Sequence, residues 1–143
     1  MLSFFTILHF LGASFLIGGE PLVAIMAIKA EKDDTALRFF ADFVKTVAIF
    51  MWVGMGLSLI GGLGMFLNGG YSLNPLVVTK LVIYALIAVV SLVLLLQIPQ
   101  VQQTAKTNFE GLRNDSTFKR LDILSRIDML LVMSILVISV IMY

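Results

Sequence analysis

The stretch Pro75–Gln97, PLVVTKLVIYALIAVVSLVLLLQ, contains a single ionisable residue, Lys80, in a run of mostly apolar side chains. A helix needs about 20 such residues to cross the roughly 30 Å hydrocarbon core of a bilayer. In lipid the backbone must satisfy its own hydrogen bonds, so an uninterrupted apolar run of this length predicts a helix rather than a barrel strand. The stretch therefore predicts a membrane-spanning helix.

Three other stretches have a similar composition: residues 2–28, 45–67 and 123–143. Hydrophobic residues make up 59% of the 143 residues and charged residues only 13%, whereas an ordinary globular chain is about half apolar and about a quarter charged. We therefore predict an all-α integral membrane protein, a four-transmembrane-helix bundle that forms a single domain over residues 1–143. The polar segment Gln100–Asp122 is expected to extend the third helix beyond the membrane before the chain turns.

The distribution of basic residues predicts the orientation of the bundle. Nine Lys and Arg residues flank the first and third links between helices, whereas the turn Asn68–Asn74 has none. Short loops rich in Lys and Arg stay on the cytoplasmic side. We therefore expect a multi-pass protein of a bacterial-type inner (cell) membrane, with links 29–45 and 98–126 cytoplasmic and both termini outside.

The composition also excludes several classes of function. A net charge of +1 gives no bulk field that would attract nucleic acid. The absence of cysteine excludes disulfides, thiolate metal sites, iron–sulfur clusters and thiol nucleophiles. The links are too short for a catalytic domain, so chemistry is expected within the bundle or at its edge. The expected partners are the lipid bilayer and, for a large ligand bound at an interface, a second copy of the chain.

Ionisable residues in apolar spans are costly, which makes them the first candidates for function. His9 is the only histidine and lies about 10 Å down helix one, while Lys80 lies about 8 Å down helix three on the same side of the bilayer. A neutral imidazole at this depth can bind heme iron, copper or a proton, and an inward-facing ammonium suits an anionic ligand. The alternatives are a structural histidine bonded to a neighbouring helix and a lysine that extends to the headgroups.

Two carboxyl groups also lie within predicted spans. Glu20 follows His9 by eleven residues, close to three helical turns, so the two share nearly one helix face. Glu20 is therefore a candidate catalytic residue that passes a proton along this face; the alternative is pairing with a cation at the inner boundary, such as Lys45. Asp128 lies near the predicted start of helix four, where a carboxylate is electrostatically favoured, and a structural role is expected.

Methionines and small residues indicate packing in the first instance. Thioethers can bind Cu(I) or heme iron, but they are also common apolar fillers, and we predict filling for two pairs at i, i+4 spacing: Met51 with Met55, and Met129 with Met133. A small-xxx-small stripe on helix two predicts the close approach of another helix; its members are Gly54, Ser58 and Gly62.

Short motifs are spread over nearly the whole chain. They are Leu8-His9-Phe10-Leu11 with Gly19 and Pro21 beyond it, Thr79-Lys80-Leu81 after the uncharged turn, and Phe118-Lys119-Arg120 before the last apolar helix. In this arrangement the chain resembles the HemJ-type protoporphyrinogen IX oxidases and the wider group of small CopD-like membrane proteins.

The resemblance implies a heme-binding membrane redox protein. His9 would ligate heme b, and Lys80 would bind the substrate or a heme carboxylate, or transfer a proton. The implied reaction is the oxidation of the porphyrin precursor protoporphyrinogen IX to protoporphyrin IX, with electrons passed to membrane quinone.

Two other functions fit the same residues. One is CopD-like, non-enzymatic transport of a metal or small solute, supported by the methionines together with His9 and Glu20. The other is a structural membrane partner that uses the small-residue stripe as its contact. Visible absorption would distinguish the heme protein from both.

Overall fold

Four long α-helices make up the fold. The computed structural model describes residues 2–69 and 73–141, which form α1 (Leu2–Ala30), α2 (Asp34–Gly69), α3 (Pro75–Thr107) and α4 (Ser116–Ile141), with a 3-10 turn at Leu112–Asn114. Within this part of the chain there is no strand, and all four helices are long and apolar enough to cross a membrane. The prediction of an all-α four-helix bundle is confirmed.

The helices extend further than predicted at the end of the bundle that carries the two basic links, which we call the charged end. The second helix begins at Asp34 rather than near residue 45, and the fourth begins at Ser116 rather than near residue 123. At 1.5 Å per residue the 36 residues of α2 span about 54 Å, well beyond a hydrocarbon core of roughly 30 Å. Polar residues therefore continue these helices past the apolar spans. Residues 70–72 of the uncharged turn and 142–143 of the last predicted span lie outside the described residues.

Side-chain caps fix where two of these helices begin. Asn74 accepts a hydrogen bond from the backbone N–H of Val77 at 2.9 Å, directly before Pro75 in the first position of α3. Asp115 accepts one from the N–H of Thr117 at 2.8 Å at the start of α4. A capping oxygen satisfies a backbone donor that has no partner within its own helix. The starts of α3 and α4 are thus set by local sequence.

Arginine side chains join the two links at the charged end. Arg113 donates through Nε to the carbonyl oxygen of Ala30 at 3.1 Å, and its guanidinium lies 2.6 Å from the carboxylate of Asp34. The guanidinium of Arg126 lies 2.6 Å from Asp122 on its own helix and 3.4 Å from Glu31. These contacts hold the α1–α2 link against the α3–α4 side of the bundle.

Buried side chains are concentrated in the charged half of the bundle. Phe40 and Phe118 are essentially inaccessible and pack edge to face with ring centroids 5.8 Å apart. Along α3, by contrast, the first buried residue after Pro75 is Ile87. The α3 helix is therefore packed less deeply in the uncharged half.

The α1 and α2 helices meet at backbone contact. A Cβ atom added at Gly12 would overlap the backbone of Gly54 and Ser58, and one added at Gly61 would overlap the backbone of His9. Small residues at such an interface let two helices approach more closely than larger side chains allow. This contact determines how far His9 lies from α2.

The small-residue stripe on α2 follows a different course from the predicted one. Gly54 and Ser58 face α1 as expected, but the next residue in the contact is Gly61 rather than Gly62. Gly62 instead faces the imidazole of His9, because a Cβ there would lie 3.3 Å from Nδ1. Adjacent residues of an α-helix point about 100° apart. The sequence spacing alone did not show which of the two neighbouring glycines lies in the contact.

We expect Gly61→Ala to lower the stability of the protein by about 1–3 kcal/mol, the usual cost of overpacking. The new methyl group would overlap backbone atoms of α1, which cannot move aside as a flexible side chain can. Thermal unfolding in detergent, followed by the loss of helical circular dichroism, would measure the change. Gly56→Ala is the matched control, because a Cβ there has nothing within 4 Å. Equal unfolding temperatures for the two variants would contradict the backbone contact.

Candidate functional site

A cavity of about 260 Å³ lies in the uncharged half of the bundle, and we call it the His9 cavity. Its polar lining comes from three helices: His9 on α1, Ser58 on α2, and Lys80 and Tyr84 on α3. The remaining walls are formed by Leu59, Gly62, Leu63, Met65, Phe66, Leu73, Val77 and Leu81. An apolar cavity with a few convergent polar groups is the usual form of a small-molecule site.

The imidazole of His9 is held by α2. Its Nδ1 lies 2.8 Å from the carbonyl oxygen of Ser58 and 3.2 Å from the Oγ of the same residue. A carbonyl oxygen can only accept a hydrogen bond, so in the neutral ring the proton lies on Nδ1 and Nε2 keeps its lone pair. Metal-binding histidines are commonly oriented in this way, by a bond from the other ring nitrogen to a backbone carbonyl.

His9 therefore has features of both a structural histidine and a ligand-binding histidine, the two roles that the sequence left open. The bond to Ser58 is the contact with a neighbouring helix that a structural histidine makes. The Nε2 atom has no hydrogen-bond partner among residues 2–69 and 73–141, and the half-buried ring borders the cavity. The ring is thus fixed in place while one nitrogen stays available.

Lys80 lies on the same cavity as His9. Its side chain is half-buried and has no ion-pair partner in the described part of the chain. One turn further along α3, the hydroxyl of Tyr84 donates to the carbonyl oxygen of Met55 on α2. This bond turns the Lys80 face of α3 towards the bundle. The structure thus places Lys80 at the cavity.

A second cavity, of about 70 Å³, adjoins the first between α1, α3 and α4. His9, Ser58, Lys80 and Tyr84 line both cavities. The smaller cavity is bordered towards the charged end by three well-buried apolar side chains: Leu16, Ile87 and Val132. We call these three residues the apolar layer.

Three polar side chains lie one helical turn beyond the apolar layer, about 5.4 Å along the helices. We call them the acid cluster; they are Glu20, Ser91 and Asp128. The hydroxyl of Ser91 donates to Oδ2 of Asp128 at 2.6 Å. The carboxyl group of Glu20 is a direct neighbour of both side chains, and all three residues are buried.

The structure does not show the pairing with Lys45 that was the alternative for Glu20, and the predicted position of Asp128 near the start of helix four is wrong. Lys45 is exposed, and no ion pair joins it to Glu20 among the described residues. Asp128 lies twelve residues beyond the first residue of α4, Ser116, rather than in its first turns. Its carboxylate is therefore too far from the helix N-terminus to be stabilised there, since that effect falls off within one turn.

Of the two predicted methionine pairs, the structure shows packing positions for Met51 with Met55, whereas Met133 of the other pair is 38% exposed. Met51 and Met55 are buried, and the side chain of Met51 fills the space beside Gly19. Neither of them lines the His9 cavity, which instead has Met65 in its wall. The Met65 sulfur accepts a hydrogen bond from the hydroxyl of Thr6 at 3.4 Å. The thioether nearest to the site is thus one that lies in neither sequence pair.

Sequence reasoning missed three residues of the cavity. Ser58 was assigned only to helix packing, whereas Tyr84 and Met65 were not singled out. The signal for Tyr84 was its position four residues after Lys80, since residues at this spacing share a helix face. Nothing in the local sequence indicates Met65, because its place depends on how α1, α2 and α3 pack together.

Comparison with known proteins adds no assignment to this geometry. No protein-family model, curated protein or solved structure matches the chain. Among the described residues, no three His, Cys, Asp or Glu side chains are gathered so that they could hold a metal ion. The protein side chains alone therefore offer His9 as a single nitrogen ligand at the cavity.

The hydrogen bond to Ser58 predicts the tautomer of the only histidine. At a pH where the ring is neutral, we expect the proton on Nδ1 and an unprotonated Nε2, because the carbonyl of Ser58 requires a donor. Nitrogen-15 NMR of protein labelled only at histidine would show one imidazole and would distinguish its two nitrogens. A ring protonated on Nε2 would contradict the geometry.

Proposed function

We propose that this protein is a heme-binding membrane redox protein that holds heme b in the His9 cavity. The observation that carries the proposal is the bond from Nδ1 of His9 to the carbonyl of Ser58. That bond leaves Nε2 with a free lone pair, which is the arrangement that favours ligation of a metal ion.

The chemistry of the available ligands supports heme over a bare metal ion. Among the described residues no three His, Cys, Asp or Glu side chains are gathered, and a single imidazole is a poor site for an isolated cation, because stable protein metal sites use several ligands. A porphyrin brings four nitrogen ligands of its own, so that one histidine suffices on one face. The apolar walls of the cavity suit the macrocycle, and the ammonium of Lys80 suits a heme carboxylate.

The exposure of two wall residues supports a ligand larger than the cavity itself. Leu63 on α2 and Leu81 on α3 both line the cavity, and each is about half exposed (49% and 48%). The cavity therefore opens sideways between these helices, and a porphyrin is not confined to its 260 Å³. Because the opening faces the apolar surface of the bundle, hydrophobic molecules reach it from the membrane.

Bound heme would supply a one-electron redox couple, and the residues of the chain would position it. His9 would hold the metal, Lys80 would bind a carboxylate, and the bond from Tyr84 to Met55 would fix the separation of α2 and α3. We propose oxidation of protoporphyrinogen IX to protoporphyrin IX, in which six electrons and six protons leave the substrate and three quinones are reduced to quinols, as the HemJ-type resemblance implies. With the termini outside and the basic links cytoplasmic, this site lies in the outer half of a cell membrane.

Absorbance spectra of the purified protein, oxidised and dithionite-reduced, test heme binding. We expect a Soret band and sharpened bands on reduction in the wild type, and their loss in His9→Ala, because no other histidine can replace the ligand. Leu11→Ala, on the same helix and 48% exposed, should leave the spectrum unchanged. Wild-type protein that stays colourless and does not bind added hemin would refute the proposal, and an unchanged spectrum in His9→Ala would exclude His9 as the ligand.

Hemin titration tests the role of Lys80. We expect Lys80→Met to weaken hemin binding about tenfold, because a charge-assisted hydrogen bond contributes roughly 1.5–3 kcal/mol and part of it is replaced by water. The methionine keeps most of the apolar length of the side chain. Lys106→Met, at an exposed position near the end of α3, is the control. Equal affinities for the two variants would show that Lys80 does not contact the ligand.

The CopD-like alternative, transport of a metal or small solute, stays a prediction. It requires copper binding that depends on Met51 or Met55, and both are buried away from the walls of the His9 cavity. If copper affinity proves indifferent to alanine at both positions, that alternative fails.

A further inference from the structure

We infer that the acid cluster of Glu20, Ser91 and Asp128 is an internal proton-binding site. It lies beyond the apolar layer from the His9 cavity and does not require heme. The inference rests on the burial of the cluster, on its unpartnered oxygens and on the absence of a neighbouring cation among the described residues.

The oxygens of the acid cluster lack the partners that a buried carboxylate needs. Glu20 and Asp128 have no solvent-exposed area. Among residues 2–69 and 73–141, no hydrogen bond reaches either carboxyl oxygen of Glu20 or Oδ1 of Asp128. The one bond present runs from Ser91 to Oδ2 of Asp128. An ionised carboxylate without hydrogen bonds is strongly disfavoured in a low-dielectric interior.

No cation of the described residues compensates the two carboxyl groups. On α2, Met51 packs beside Gly19, the neighbour of Glu20 in sequence, and carries no charge. On α3, Ser91 is the polar neighbour, and Lys80 lies eleven residues away on the His9 cavity. On α4, the guanidinium of Arg126 is bound to Asp122 and Glu31.

Two adjacent carboxyl groups in such a place cannot both be ionised. A proton on Glu20 removes its charge and supplies a donor for the unpartnered Oδ1 of Asp128, so one proton satisfies both groups. The pair then titrates as a unit rather than as two separate acids. The chemical ligand of the cluster is therefore the proton.

The packing around the acid cluster differs on its two sides. A cavity of about 20 Å³ borders Ser91 in the charged half of the bundle, and this is enough room for one water molecule. Trp52 also lines it, and its indole N–H is buried with no partner in the described part of the chain. On the opposite side the apolar layer separates the cluster from the His9 cavity. The space beside the acid cluster therefore lies on the side of the charged end, and the apolar layer lies on the other.

Infrared spectroscopy of the full-length, heme-free protein in detergent tests the site directly. At neutral pH the wild type should show the carbonyl stretch of a protonated carboxylic acid, with the small downward shift in D₂O that marks an exchangeable proton. The double variant Glu20→Gln/Asp128→Asn should lose this band. Asp122→Asn should keep it, because Asp122 is a buried carboxylate that is paired with Arg126 and contributes no protonated acid.

A second variant keeps the test decisive if the double variant does not fold. Ser91→Ala removes the hydrogen bond to Asp128 without changing either carboxyl group, so the acid band should remain and shift in frequency. A band that is insensitive to Ser91→Ala would place the protonated acid elsewhere and overturn the inference.

Infrared spectra recorded in two different salts distinguish a bound proton from a small metal cation bound to the same carboxyl oxygens. We expect the same acid band in sodium chloride and in choline chloride. A band that appears only without sodium would assign the cluster to a monovalent cation, and the absence of the band in both media would show ionised carboxylates. Either result overturns the proton site, and neither bears on heme binding, because no heme is present in the sample.

Discussion

The backbone contact between α1 and α2 is the constraint on which the rest of the structure depends. Gly12, Gly54 and Gly61 bring the two helix axes closer than side chains of ordinary size would permit. Only at this separation does the imidazole of His9 reach the carbonyl of Ser58 at 2.8 Å. The orientation of the one histidine is therefore a consequence of residues that carry no chemistry themselves.

The cavity follows from the way the other helices are attached to this pair. At the charged end, Arg113 and Arg126 join the links, and the aromatic pair of Phe40 and Phe118 fills the interior. In the uncharged half, the hydrogen bond that joins α3 to α2 among the described residues is the one from Tyr84 to Met55. Dense packing at one end thus anchors the bundle, while the other end can stay open without loss of the fold.

The sequence predicts those parts of the structure that depend on local pattern. It does not predict contacts that depend on how each helix is rotated about its own axis. Apolar length identifies four helices, and the depths of His9 and Lys80 follow from the rise per residue. The neighbours of Glu20 could not be predicted, because its approach to Asp128 depends on how α1 and α4 are rotated about their axes. The depth of Asp128 could have been predicted, because the capping residue Asp115 marks where α4 begins.

The apolar layer determines what the two polar regions can do together. His9 and Glu20 are eleven residues apart on one helix, about 16 Å along its axis, and three close-packed apolar side chains separate them. Direct proton hopping across that layer would need water where none is favoured, so coupling has to be electrostatic. At an effective dielectric constant of about 20, one charge added at His9 changes the energy of a charge at Glu20 by about 1 kcal/mol, roughly fivefold in a binding constant. In the heme protein that we propose, an electron arriving in the His9 cavity would thus favour proton uptake at the acid cluster, although no proton crosses the apolar layer between them.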